Sequence, residues 1–331
     1  MKKSLLLIYF SAIYFVAVAQ LSWKNLDSLY QPLPSSVHVY KSTDQLDGKP
    51  NIVYYVIADL EDKTLSFTAD TTYKRRLTPS AFYEKDNQPL VVVNCSFFSF
   101  ATNQNLNVVV KNNKLVGYNI HTIPAKGKDT LMYYHSFFGA FGISTKRKAD
   151  IAWVYTDSSK RYPYASEHAL PSIHDSVAHP SFNYLDHTSS VVSDDYNGNG
   201  YSGTSSFKKW KMKTAIGGGP VLLQNGEIHI SNNEERKFYG KAINDQHPRT
   251  AIGYTADNKI IILVAEGRSK TAAGLTLVQE AQILRDLHCV EALNLDGGGS
   301  TCMLVNGKET NSPSSKGVQR PVPSVFLIEK K

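Results

Sequence analysis

Only three cysteines, Cys95, Cys289 and Cys302, occur in 331 residues. No disulfide framework can therefore stand in for an apolar core, and the odd count leaves at least one thiol unpaired. Beyond the N-terminus no apolar run is long enough to span a bilayer. Nor is there a dense stripe of Lys and Arg: the formal charge of +7 is spread along the chain. That argues against duplex nucleic acid as a partner and leaves anionic small substrates open. What is present, 42% hydrophobic, 20% charged and 11% aromatic residues, excludes coiled coil, collagen and wholesale disorder. The length is enough for one large core or two smaller ones.

Lys2-Lys3, an apolar run from Leu5 to Val18 and Ala17-Val18-Ala19 before Gln20 read as an export signal cleaved before Gln20. Loss of Lys2 and Lys3 would take the charge from +7 to +5. The mature chain is then expected to be periplasmic or secreted, without a membrane span.

The remainder is dominated by β-branched runs separated by turn dipeptides. Four hairpins are expected: Ile52–Leu60 with Thr64–Ala69, Val108–Lys111 with Leu115–Tyr118, Pro220–Gln224 with Glu227–Ile230 across Asn225-Gly226, and Thr250–Thr255 with Lys259–Ala265. Repeated hairpins mean antiparallel pairing, so the expected class is α+β: a strand-rich, largely antiparallel sheet with a few packed helices. One helix stands out. Thr276 offers an N-cap with Gln279 three residues on, and Leu277, Ala281 and Leu284 share a face. Residues 155–207 differ in composition and read as a long insertion; their His168, His174, His179 and His187 fit no short metal-ligand spacing and read as surface loop residues.

The sharpest motif is Asn294-Leu295-Asp296-Gly297-Gly298-Gly299-Ser300-Thr301, where a strand ends. Three glycines in a row do not serve strand stability; they admit close approach and can aim backbone N–H groups at an anion. The Ser300 and Thr301 hydroxyls add donors, and Asp296 places a carboxylate at the strand mouth. A second cluster, Gly217-Gly218-Gly219-Pro220, is either a crossing point or another glycine-lined wall through Gly218 and Gly219. In His247-Pro248-Arg249-Thr250, proline holds His247 extended at a rim, and Arg249 enters an apolar run where it needs an anionic partner, either a structural carboxylate or a phosphate. Glu266-Gly267-Arg268 brings another acid and guanidinium to the same end. Asn94 and Ser96 are candidates for sugar hydroxyls beside the face of Phe97, and Arg320 opens the last strand, Val322–Ile328, which would approach the motif by pairing with Cys302–Val305.

Taken in order, Asn94-Cys95-Ser96-Phe97-Phe98, Gly217-Gly218-Gly219-Pro220, His247-Pro248-Arg249-Thr250-Ala251, Glu266-Gly267-Arg268, Asn294 to Ser300 and Arg320-Pro321-Val322 resemble the phosphodiester glycosidase family over residues 88–329. Cys95 and Ser96 stand where relatives often carry glycine, and Glu266 where many carry Asp. The chain then divides into the leader at 1–19 read from its own residues, a strand-rich region at 20–87 that lies outside the resemblance, and, as the resemblance implies, a catalytic domain at 88–331, whose insertion at about 155–207 is unlike most relatives. The resemblance implies hydrolysis of the C1–O bond of a glycosyl phosphodiester with an N-acetylglucosamine-like sugar, the partner being a phosphorylated glycan or sugar phosphodiester. Arg249 with Arg268 or Arg320 would clamp the diester, while Asp296 and Glu266, with His247 nearby, would stabilise the sugar cation, activate water or act as nucleophile; which acid does which stays open. No cofactor is expected, and the metal requirement stays open with a divalent ion on these acids as one outcome. Two other readings stand beside it: a metal-assisted phosphodiesterase cutting P–O, and a non-catalytic phosphoglycan binder.

Overall fold

Strand residues alternate between two faces, so a continuous run such as Ile260-Ile261-Ile262-Leu263-Val264 must be covered on both. In the computed structural model, which describes residues 21–125, 127–176, 178, 191–194, 200–203 and 207–331, this run lies in the strand Lys259–Ala265 at the middle of an eight-stranded sheet. Ile260, Ile262 and Val264 enter a core shared with two other sheets. Ile261, Leu263 and Ala265 face the helix Leu277–Asp286 instead. The expected leader, and His179 and His187, lie outside the described residues.

The eight-stranded sheet has the central order Val37–Ser42, Val53–Asp59, Lys259–Ala265, Arg249–Thr255, Cys289–Asn294, Val221–Gln224. A five-stranded sheet runs Lys308–Glu309, Met303–Val305, Val91–Asn94, Ser324–Lys330, Leu65–Thr71. A seven-stranded sheet is centred on Ala149–Tyr155, Phe138–Ser144 and Met212–Gly217. The pairings within these three sheets are antiparallel, which bears out the expected α+β class. Val91, Val93, Phe326 and Ile328 of the five-stranded sheet and Phe141, Trp153 and Ile216 of the seven-stranded sheet meet the eight-stranded sheet in one core.

The helix forms where the sequence signals it. Thr276 Oγ1 accepts from Gln279 N (3.1 Å), and Gln279 Oε1 accepts from Thr276 N (2.9 Å). This reciprocal cap satisfies two donors that the first turn otherwise leaves open and is worth about 1 kcal/mol. No helix among the described residues is long and apolar enough to cross a membrane.

Two local expectations differ from the structure. Val53–Asp59 and Leu65–Thr71 do not pair as a hairpin; the first joins the eight-stranded sheet and the second the five-stranded one. The Arg147 guanidinium holds this corner open, donating to the carbonyls of Leu60, Asp62 (2.7 Å) and Leu65 (3.1 Å) and lying over the Phe67 ring. Charge-assisted bonds to three carbonyls replace those a hairpin would have made. The last strand starts at Ser324 and pairs with Val91–Asn94 and Leu65–Thr71, not with Met303–Val305, because Val91–Asn94 lies between them. The other three hairpins form as expected.

Candidate active site

Three strands end side by side: Val91–Asn94, Arg249–Thr255 at its start, and Cys289–Asn294. Asn94 ties them together from a fully buried position. Its Nδ2 donates to Asp296 O (2.5 Å), and its Oδ1 accepts from Thr250 Oγ1 and Cys302 N (both 3.1 Å). Asp296 N donates to Cys95 O (2.8 Å) and Leu295 N to Thr250 O (2.8 Å). Asp296 is thus presented at the junction of two sheets on a backbone fixed at both its N–H and its C=O.

The glycines that follow sit against backbone and guanidinium groups. A Cβ on Gly297 would lie 2.7 Å from Pro248 O, and Gly298 N donates to the same carbonyl (2.8 Å). Gly298 has φ +62°, and a Cβ there would meet the Arg268 guanidinium at 3.2 Å; at Gly299 it would collide with that of Arg320. A side chain would push either guanidinium away, which is the packing reason for glycine here. Arg320 Nη1 donates to Ser300 Oγ (3.4 Å), and Arg268 Nη2 donates to His247 Nδ1 (3.3 Å). That contact suits a neutral ring, and burial together with the charges of Arg249 and Arg268 lowers the His247 pKa.

Burial pushes the Asp296 pKa up to about 6, against the opposing effects of the Ser300 hydroxyl and the charges of Arg320 and Lys237. Its Oδ2 is shielded and has no hydrogen-bond partner among the described residues. An unsatisfied carboxylate oxygen amid cations is unusual in a folded interior; it is what a group awaiting a ligand looks like.

The opposite wall joins the second glycine cluster to two residues that the sequence does not mark, Glu235 and Lys237. Gly217-Gly218-Gly219-Pro220 is the crossing from the seven-stranded to the eight-stranded sheet, with Gly218 N bonded to Gly139 O (3.0 Å) and Gly219 N to Asn294 O (2.8 Å). Gly219 (φ +118°) leaves no room for a Cβ because Glu235 Oε2 stands there. The buried Glu235 carboxylate accepts from Ser231 Oγ (2.6 Å), Val221 N (2.9 Å), Gly139 N (3.0 Å) and Trp153 Nε1 (3.2 Å). Two residues on, Lys237 Nζ donates to Gly218 O (2.9 Å) and lies 3.7 Å from the centre of the Phe97 ring. Burial lowers its pKa to about 8, opposed by the negative charges of Glu235 and Asp296. Asn-Asn-Glu-Glu-Arg-Lys reads as a solvated run, and no local signal marks Glu235 or Lys237 as inward.

Arg249 is 3% exposed and has no carboxylate within ion-pair distance among the described residues. Its Nε donates to Leu275 O (3.0 Å) and its Nη2 to Asp245 O (3.3 Å), beside the Phe238 ring. Glu280 on the helix Leu277–Asp286 is nearby, but both its oxygens lack hydrogen-bond partners among the described residues, and burial, opposed by the charge of Arg249, pushes its pKa up to about 8, so at neutral pH it is largely protonated. Among the other sequence candidates, Ser96 and Thr301 are buried, Thr301 Oγ1 accepting from Thr250 Oγ1 (3.3 Å). Glu266 accepts from Ser312 N (2.9 Å) and makes no described contact with Asp296. The structure therefore gathers Asp296, Ser300, Gly297–Gly299, Arg268, Arg320, His247, Gly218 and Phe97 around one mouth, sets Asn94, Thr301 and Arg249 beneath it, and leaves Glu266 on a separate hydrogen bond. No group of three or more His, Cys, Asp and Glu side chains converges as a metal site among the described residues.

Residues 173–329 match the family model described as phosphodiester glycosidase. Over 101 residues the chain is 34% identical to N-acetylglucosamine-1-phosphodiester alpha-N-acetylglucosaminidase of Mus musculus. The matched segment is 28% of this chain and 19% of the mouse protein, so the chain aligns with about a fifth of that relative's length. A solved structure of the zebrafish protein of that name, its catalytic domain auto-inhibited by the pro-peptide, superposes with a TM-score of 0.56 at 20% identity, covering 95% of this chain and 89% of that one. A hypothetical protein from Synechocystis superposes with a TM-score of 0.59 at 16% identity, covering 94% of this chain and 64% of the other. The two structures speak for the fold. The resemblance carried by the motifs is thereby shown: this chain resembles the phosphodiester glycosidase family, through a stretch that holds Glu235, Lys237, Arg249, Arg268, the glycine loop and Arg320.

Proposed function

We propose that this chain is an exported hydrolase that cleaves the C1–O bond of a glycosyl phosphodiester, releasing a free N-acetylglucosamine-like sugar and a phosphomonoester. One observation carries the reading: the Asp296 carboxyl, with an unpartnered Oδ2, faces the cations Lys237 and Arg320, while Arg320 and Arg268 lie on consecutive glycines with no carboxylate ion pair among the described residues. Unpaired guanidiniums beside a glycine loop suit phosphate oxygens in charge-assisted, two-point contacts.

The chemistry follows from the leaving group. A phosphomonoester departs as a stable anion, so the protonating carboxylic acid of ordinary glycosidases is less needed, and fixed cations do the stabilising. Arg320, Arg268 and Lys237 neutralise the departing phosphate. Asp296, ionised above about pH 6, faces C1, where it stabilises the sugar cation and either takes a proton from water or attacks directly. Asn94 fixes its backbone, and Arg249 stiffens the floor. No metal-dependent step is invoked, and a chelator is expected to leave turnover unchanged.

The bond broken is tested by hydrolysing an N-acetylglucosamine phosphodiester in ¹⁸O-water. Mass spectrometry at short times, before exchange through the open-chain aldehyde, is expected to find label in the sugar and none in the phosphomonoester. Label in phosphate would mean attack at phosphorus and the phosphodiesterase reading, which usually brings chelator sensitivity. Saturable binding without turnover of any sugar diester would mean a binding protein.

Export rests on Lys2-Lys3, the Leu5–Val18 run and Ala17-Val18-Ala19. The intact mass of the protein isolated from its native envelope or culture fluid is expected to match a chain starting at Gln20. Retention of residues 1–19 would refute cleavage there.

A further inference from the structure

Phe100 lies at the rim of the candidate site and is 65% exposed. An aromatic ring so exposed gains little from burial, yet this one has three partners. The Phe98 ring centre is 4.7 Å away at an interplanar angle of 47°. The Arg320 guanidinium is 5.4 Å from the Phe100 ring centre, and that of Arg76 is 5.5 Å from it and 5.1 Å from the Phe98 ring. The two guanidinium carbons are therefore within about 11 Å of each other by these distances through one ring.

Arg76 makes no hydrogen bond or ion pair among the described residues; its recorded contacts are the two rings. It ends the run Lys74-Arg75-Arg76, none of whose cations forms an ion pair among the described residues, next to Tyr73, which is 83% exposed. The backbone of this run is fixed: the Thr72 hydroxyl donates to Arg75 O, and Leu77 N donates to Val322 O (3.0 Å), tying Arg76 to the segment just after Arg320. Two guanidiniums brought to one ring without a carboxylate make a locally positive rim, which an anion placed between them would meet. Aromatic faces hold guanidinium groups flat while leaving their N–H edges free for a planar, two-point acceptor.

We propose that Arg76, Phe98 and Phe100 form an anion subsite continuous with Arg320, which takes a second negatively charged group carried on the aglycone side of the scissile phosphodiester. This deepens the proposed function and rests on it. The substrate class is then a polyanionic glycan or polyol phosphate chain, in which a further phosphate lies beyond the bond cut at C1. Arg320 is shared: it donates to Ser300, packs against the glycine loop and lies 5.4 Å from the centre of the Phe100 ring. A phosphate held at Arg76 also fixes which way the chain runs through the site.

Two substrates test this: an N-acetylglucosamine phosphodiester of glycerol, with a neutral aglycone, and the same diester of glycerol phosphate. Wild type is expected to show a KM about 10-fold lower for the charged aglycone, the size of one partly exposed charge-assisted contact. Arg76→Gln should abolish that difference and leave kcat and KM for the neutral aglycone unchanged, and Phe100→Leu should weaken it by releasing Arg76 from the ring. Equal KM values in wild type, or a preference that survives Arg76→Gln, overturns the subsite while the hydrolase stands. If wild type turns over neither substrate, the proposed function fails, and the subsite is read separately by calorimetric titration with tripolyphosphate. Binding about 5-fold weaker in Arg76→Gln than in wild type then supports it, and equal binding overturns it.

Discussion

Asp296→Asn is expected to lower turnover of a sugar phosphodiester by about 10²–10⁴-fold, the range for loss of an essential acid or base, while leaving the fold intact. The backbone of residue 296 is held by Cys95 O and by Asn94 Nδ2, and neither bond involves the side chain. An amide of the same shape therefore fits without moving the loop. Stability should respond in the opposite sense to activity. Burial raises the Asp296 pKa to about 6, so the folded state holds its proton more tightly than the unfolded chain does. The stabilisation from that protonated form is complete below the unfolded value of about 4 and is lost as pH rises through about 6. At pH 8 the wild type carries the cost of a shielded carboxylate that the asparagine variant does not. After allowance for solvent at the mouth, the variant should be more stable by about 1 kcal/mol at pH 8 and equal to wild type below pH 4. For wild type, kcat/KM should climb as pH rises through about 6. Near wild-type turnover at unchanged stability would remove Asp296 from the chemistry, and an activity that falls through pH 6 would recast it as a proton donor.

Glu235→Ala is expected to be the most destabilising single change near the site, at about 3–5 kcal/mol. Four donors converge on this carboxylate, from Ser231, Val221, Gly139 and Trp153. Alanine strands the Gly139 N–H and Trp153 Nε1–H in a dry interior and opens a cavity beneath Gly219. Activity should fall with stability, because the Gly218 carbonyl that seats Lys237 belongs to the same crossing. Glu235→Gln keeps the volume but turns an N–H₂ toward backbone N–H groups, and so should recover only part of the loss. Chemical denaturation midpoints of both variants check this; a midpoint for the alanine variant within error of wild type would show that the network carries little.

Much of the fold is legible in the residues because period-two runs and turn dipeptides are local signals. Asn225-Gly226 and the Thr276 and Gln279 cap need no distant partner to be read, and the structure has both. The Glu61-Asp62-Lys63 corner misleads for the complementary reason: the two strands it joins pair with residues near 260 and near 327, and no local pattern states that preference. In the site, glycines and arginines stand out by type, whereas Glu235 and Lys237 look like surface charge until Ser231, Trp153 and Gly139 are brought around them. Arg76 is hidden in the same way, its meaning supplied by two phenylalanines more than twenty residues on.

The split of Val53–Asp59 and Leu65–Thr71 between two sheets also bears on when the molecule can fold. Lys330 pairs with Leu65 and Ala265 with Val53, so the strands laid down first wait for some of the last residues of the sequence before their edges are covered. Closing a loop of about 265 residues, from Leu65 to Lys330, costs chain entropy before any ladder bond offsets it. High contact order of this kind slows folding and leaves apolar strand edges open in the interim. A chain of this topology stays open until its last strand is available. It gains its core only once the C-terminal strand is free to dock, so removing even Ser324–Lys330 should strand the N-terminal ladders and send the product to aggregation or proteolysis.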